Sequence, residues 1–163
     1  MSPEEALNYF ARQVEDRNLD NYRLVIYVFH LSYHPFVLPR TVRDIRRNEY
    51  TARIAVGGGW LESILAENTD LLNRMRDVTL IPVEIESHMT PRIYYVFETN
   101  RGRQIFDVAM WGSGGSIFVN GVQIEWDDMF YDIIRPFLPI QTLYTMDRMY
   151  GRYEDSWPWQ AGE

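Results

Sequence analysis

Arg92-Ile93-Tyr94-Tyr95-Val96-Phe97-Glu98-Thr99, then Asn100-Arg101-Gly102, then Arg103 to Trp111, opens the stretch that decides the fold. β-branched and aromatic residues crowd both flanks, and such side chains suit a pleated, half-buried surface. A three-residue hairpin loop wants positive φ near its end, and Gly102 supplies it. Gly112-Ser113-Gly114-Gly115 breaks the return strand. Ser116–Val119 and Val122–Trp126 then flank Asn120-Gly121, the dipeptide of a type I′ turn. The reading is an antiparallel meander. Asp127-Asp128 caps the helix that closes it, because the carboxylates meet free N–H groups at the positive end of the helix dipole. Phe130, Ile133, Ile134 and Phe137 recur at helical spacing, and Pro136 and Pro139 stop the helix.

The turns predict a register. Val119 faces Val122, Ile117 faces Ile124, and Phe118 lies beside Gln123. In the first hairpin Val96 faces Phe106 and Tyr94 faces Val108. Ile93, Tyr95, Phe97, Ile105, Asp107, Ala109 and Trp111 then share the other face. Alternation is strict along a strand, so a slip of one residue inverts that list. Neither face is plainly polar, so both need a cover: helices on one side, and a tail, partner or ligand on the other.

Working outward, Ser2-Pro3-Glu4-Glu5 is a capping box with proline at the first helical position. The helix runs to about Asp16 with Leu7, Phe10, Ala11 and Val14 inward. Tyr22–Tyr33 is a strand whose unbroken apolar run, Leu24 to Phe29, suits burial on both faces. A short helix spans about 41–49, and Tyr50–Val56 returns as strand. Gly57-Gly58-Gly59 leads into a helix from about Trp60 through Leu61, Ile64 and Leu65, which Asn68-Thr69-Asp70 breaks and restarts with Leu71, Leu72 and Met75 inward. Val78–Glu86 reads as a strand that Pro82 confines to an edge or a bulge. The expected class is α+β: a mostly antiparallel sheet with helices packed on one face. Residues 1–139 form the domain. Residues 140–163 are an aromatic tail packed on the domain, over the second sheet face, or on a partner.

Composition removes several functions. The chain has 163 residues, enough for one domain with a real core. It has no cysteine, hence no disulfide, thiolate metal site or cysteine nucleophile. No run approaches a membrane span, and Met1-Ser2-Pro3-Glu4-Glu5 is no signal peptide, so the cytoplasm is the expected compartment. A net charge of −7 argues against nucleic acid, since neutralising phosphate needs a basic face; Arg43, Arg46 and Arg47 read as a solvated helix face. All 16 basic residues are arginine, leaving the chain lysine-free.

Candidate chemistry is sparse. Asp107, on an otherwise apolar strand face, becomes a base if that face lines a pocket, with Tyr95 as hydrogen-bond donor and His30 nearby. An ion pair or a wet edge is the plainer role. Gly57, Gly58 and Gly59 can converge N–H groups on an anion, though the Gly-Lys-Ser/Thr of a phosphate loop is missing and a tight turn explains them better. His30, His34 and His88, with Glu84 or Glu86, have no metal-ligand spacing, so no metal or cofactor is expected. Trp111, Phe118, Trp126, Trp157 and Trp159 are suited to anchoring an interface. The reading that follows is a non-enzymatic, acidic protein-binding module: an inhibitor, an immunity-type protein or an accessory subunit, with a protein partner or a homo-oligomer. The alternatives are a small-molecule binding protein or enzyme with its pocket on the second sheet face, and a self-assembling subunit paired through that face.

Overall fold

The computed structural model describes residues 1–29, 52–83, 91–110 and 117–152. The short helix expected over 41–49 lies outside them, as do His30, His34, Glu84, Glu86, His88, Trp111, Trp157 and Trp159.

The meander forms. β3 (Ile93–Thr99), β4 (Gln104–Met110), β5 (Ile117–Val119) and β6 (Val122–Ile124) pair in sequence, all antiparallel. Asn120 and Gly121 both take positive φ, 49° and 77°, as a type I′ turn requires. The register of that hairpin is the expected one: Val119 with Val122, Phe118 with Gln123, Ile117 with Ile124.

The first hairpin departs from expectation. Its loop is as expected, with Gly102 at φ 89° and the Thr99 N–H bonded to the Arg103 carbonyl at 2.8 Å. Glu98 pairs with Gln104, but Phe97 pairs with Phe106. Ile105 is therefore the extra residue of a β-bulge, and every pair beyond it is displaced by one. Val96 faces Asp107 instead of Phe106, and Tyr94 faces Ala109 instead of Val108. Ile93, Tyr95, Phe97, Phe106, Val108 and Met110 fall on one face; Tyr94, Val96, Asp107 and Ala109 fall on the other.

β1 (Tyr22–Val28) lies between β3 and the edge strand β2 (Ala52–Gly57), giving the order β2-β1-β3-β4-β5-β6. Leu24, Ile26 and Val28 face the helices, while Val25, Tyr27 and Phe29 face away, so β1 is buried on both sides as its apolar run implied. At the far edge the described part of the strand expected over 78–86, residues 78–83, forms a bridge between Pro82 and Ile124. Val83 donates to the Gln123 carbonyl and Glu125 to that of Ile81, so the proline segment, which lacks one N–H, closes that edge.

α1 (Pro3–Glu15) carries the predicted box: Ser2 Oγ accepts from the Glu5 N–H at 3.2 Å and Glu5 Oε2 from the Ser2 N–H at 3.1 Å. Its Phe10 ring meets those of Phe97 and Phe106, with centroids 4.5 and 5.4 Å away. α2 (Gly58–Leu65), α3 (Thr69–Arg76), α4 (Met129–Ile134) with its 3₁₀ extension Arg135–Phe137, and α5 (Ile140–Met149) all bury side chains in the same core. α5 departs from the expected tail over the second face: Met146, Met149 and Tyr150 pack on the helix side. Among the described residues no helix is long and apolar enough to cross a membrane.

Candidate protein-binding edge

β2 is short and almost uncharged: Ala52-Arg53-Ile54-Ala55-Val56-Gly57. Its pairing with β1 settles which main-chain groups it presents outward. Phe29 donates to the Arg92 carbonyl, and Asn21 accepts from the Asn100 N–H, so the odd-numbered residues of β1 point at β3. Backbone polar groups alternate in direction along a strand. The even-numbered residues Leu24, Ile26 and Val28 therefore bond to their partners Val56, Ile54 and Ala52. The Gly57 carbonyl, at the N-cap, accepts the first bond of the helix that follows. The N–H and C=O groups of Arg53 and Ala55, and the N–H of Gly57, point away from the sheet. Among the described residues nothing pairs with them, and all three residues are exposed.

Beside this row, on the helix-bearing side, lies a groove of about 340 Å³ lined by Ile54, Val56, Trp60, Pro136 and Phe137 together with Ala55 and Gly57. Trp60 is 65 % exposed, the most exposed aromatic of the described residues. It occupies the first turn of α2, off the stripe of Leu61 and Leu65 that enters the core. Pro136 and Phe137 come from the 3₁₀ turn that the two prolines impose after α4. The lining holds no charged side chain. On the opposite face the Arg53 guanidinium lies over the Tyr27 ring, 5.7 Å from its centroid, and so is drawn away from the groove.

Natural edge strands are usually blunted by charge, proline or a bulge. β6 is closed by the Pro82 segment; β2 carries one arginine near its start and none of the other devices.

Within the glycine run, Gly58 has a packing role. Gly57 is the extended N-cap of α2 and makes no side-chain cap. Gly58 is pressed against the loop after α1: a Cβ there would lie 1.7 Å from the Leu19 carbonyl oxygen. Gly57 and Gly59 have open space at that position. The N–H groups of the run start a helix docked on Leu19, and no basic side chain lines the adjoining groove.

The other candidates are dispersed. Asp107 and Tyr95 lie on opposite faces because of the bulge. Asp107 Oδ2 accepts from Tyr94 Oη at 2.9 Å, its N–H donates to Asn120 Oδ1 at 2.9 Å, and its carbonyl accepts from the Asn120 N–H at 3.0 Å. These bonds pin the second hairpin to the first. Tyr95 donates to the Phe130 carbonyl at 2.8 Å, fully buried, and burial pushes its phenol well above the usual value. Phe118 packs half-buried on the second-face cluster of Val25, Tyr27, Phe29, Tyr94, Val96 and Ala109. Trp126 is engaged within the fold: it stacks on Tyr150 at 5.1 Å and donates to Asp128 Oδ1 at 2.7 Å.

The one fully buried carboxylate of the described residues, Asp147, serves the same purpose. Tyr131 Oη donates to it at 2.6 Å and Arg135 Nε at 3.0 Å, clasping α5 to α4. Burial, with the bond to Asp147, drives the Tyr131 phenol far up. Arg74 and Arg152 bind Asp132 from α3 and from beyond α5.

Trp60 was not among the anchors suggested by the sequence. The signal was partial: Leu61 and Leu65 set the inward face of this helix, and residue 60 lies off that line beside the half-buried Ile64. No family model, no curated protein and no solved structure matches this chain.

Proposed function

We propose that this chain is a protein-binding module that accepts an extended segment of polypeptide on the edge of β2. The observation that carries the reading is the outward row of main-chain groups at Arg53, Ala55 and Gly57, set beside an uncharged groove walled by Trp60 and Phe137. Strand addition draws affinity from main-chain hydrogen bonds and specificity from pockets for alternate side chains, and this edge offers both. Trp60 is the anchor, since exposed tryptophans dominate interface energetics. The net charge of −7 keeps the module soluble and steers it toward basic surfaces. Regulation by occupancy, as in an inhibitor or accessory subunit, needs no catalytic group of its own.

The test compares three forms isolated gently from the host. Ala55→Pro removes an outward N–H that β1 does not use, so the fold survives while the docking row is broken. Wild type and Phe118→Ala should retain the same bound protein; Ala55→Pro and Trp60→Ala should lose at least about 90 % of it, in line with a hot spot of about 1.4 kcal/mol or more. Retention by Ala55→Pro together with loss from Phe118→Ala would move the site to the second sheet face and overturn the reading.

A further inference from the structure

The edge of β2 is complementary to itself, and we infer that it pairs with the β2 edge of a second copy, antiparallel about a two-fold axis through Ala55. The inference rests on the docking edge proposed above and names its occupant. Only residues with outward main-chain groups can form the hydrogen-bonded pairs, which restricts the register to Arg53, Ala55 and Gly57 of each copy. Centring the axis on Ala55 places Ala55 opposite Ala55 and Arg53 opposite Gly57.

Each juxtaposition is favourable or neutral. Two alanine methyls meet on the axis. Each arginine faces a glycine, so the only charges on the strand never oppose one another. On the helix side Ile54 of one copy lies beside Val56 of the other, and both enter the grooves walled by Trp60, Pro136 and Phe137. About four main-chain hydrogen bonds close the seam, two at Ala55 and one from each Gly57 N–H to the Arg53 carbonyl opposite, and the two six-stranded sheets become one continuous sheet. Such an interface is isologous and closed, so assembly stops at two. The edge at β6 cannot compete, because the Pro82 segment occupies it. The −7 charge of each chain opposes association at long range, while the strand itself carries no acid, so added salt strengthens the dimer.

Sedimentation equilibrium from low to high micromolar protein reads the assembly. The expected result is a mass rising from 19.4 kDa toward twice that value, at lower concentrations as salt is raised. Ala55→Pro should remain monomeric with an unchanged circular dichroism spectrum. Ala55→Val, which adds a cross-strand pair on the axis, should tighten the dimer by up to about fivefold. The chain lacks cysteine, so Ala55→Cys provides a register test. With oxidised glutathione as electron acceptor it should give a covalent dimer, since the two Cα atoms of a hydrogen-bonded pair lie about 5.5 Å apart, within disulfide range. Ile54→Cys, whose neighbour is Val56, should not. A wild-type monomer throughout, or a dimer that survives in folded Ala55→Pro, overturns the inference. The monomer outcome leaves the docking edge itself to the partner experiment, which reads a different bound chain.

Discussion

Gly58 and Gly59 are neighbours in one run of three glycines and differ entirely in what they tolerate. Gly58→Ala forces a methyl into the Leu19 carbonyl and should cost about 2 kcal/mol or more. Gly59→Ala enters open space in the first turn of a helix and should be neutral or stabilising by up to about 1 kcal/mol. Urea unfolding of the two variants checks the pair, and equal effects would contradict the account. Tyr131→Phe deletes one hydroxyl and leaves Asp147 with its arginine alone, at a cost of about 1–3 kcal/mol. Asp147 is buried with those two partners already in place, which is how a carboxylate is kept in a core, and it has no access to solvent from which to act on a substrate. At this scale the sequence was legible where chemistry is local. The capping box, Gly102 and Asn120-Gly121 each do what their residue types imply. Gly58 was ambiguous because the atom it avoids belongs to Leu19, far away in the chain.

Elements follow from pattern until an irregularity intervenes. The stripe of Leu7, Phe10, Ala11 and Val14 gave α1 and its buried face, and Phe10→Ala should cost about 3–5 kcal/mol by emptying the space between Phe97 and Phe106. A loss below about 1 kcal/mol in thermal or denaturant unfolding would mean the helix is not seated there. The β3–β4 register was readable at the turn and lost at Ile105. A bulge inserts one residue without a signature in composition, and its consequence is large: Asp107 exchanges Tyr95 for Tyr94 and a possible pocket base becomes a hairpin fastener. α5 was hidden for a different reason. Its polar positions, including Asp147, are satisfied by contacts with α4, so the stretch after Pro139 reads as a charged aromatic tail until those contacts are seen.

The whole molecule is an antiparallel sheet with helices on one face, closed at one edge and open at the other among the described residues. Its helix-side core buries Tyr95, Tyr131 and Tyr150, and desolvation raises all three phenols above the value of about 10 they have in the unfolded chain. The native state then keeps protons that the unfolded chain gives up. Stability is unaffected below about pH 10 and falls as pH rises beyond it. Tyr9, pushed up to about 12 by its hydrogen bond to Tyr22, adds a smaller loss between about pH 10 and 12. The tyrosinate absorbance of Tyr95, Tyr131 and Tyr150, read as the difference from the three Tyr→Phe variants, should therefore appear together with loss of circular dichroism. Titration of those three phenols near pH 10 in the intact fold would contradict this burial.

The open edge is the central claim, and residue-resolved amide hydrogen exchange along β2 tests it most directly. In dilute protein the amides of Ile54 and Val56, bonded to β1, should exchange slowly, and those of Arg53, Ala55 and Gly57 should exchange near the rate of free peptide. Raising the concentration, or adding the bound protein, should slow those three and leave the others unchanged. Protection of Arg53, Ala55 and Gly57 already present in the dilute monomer would show the edge paired within its own chain, and the account would fail.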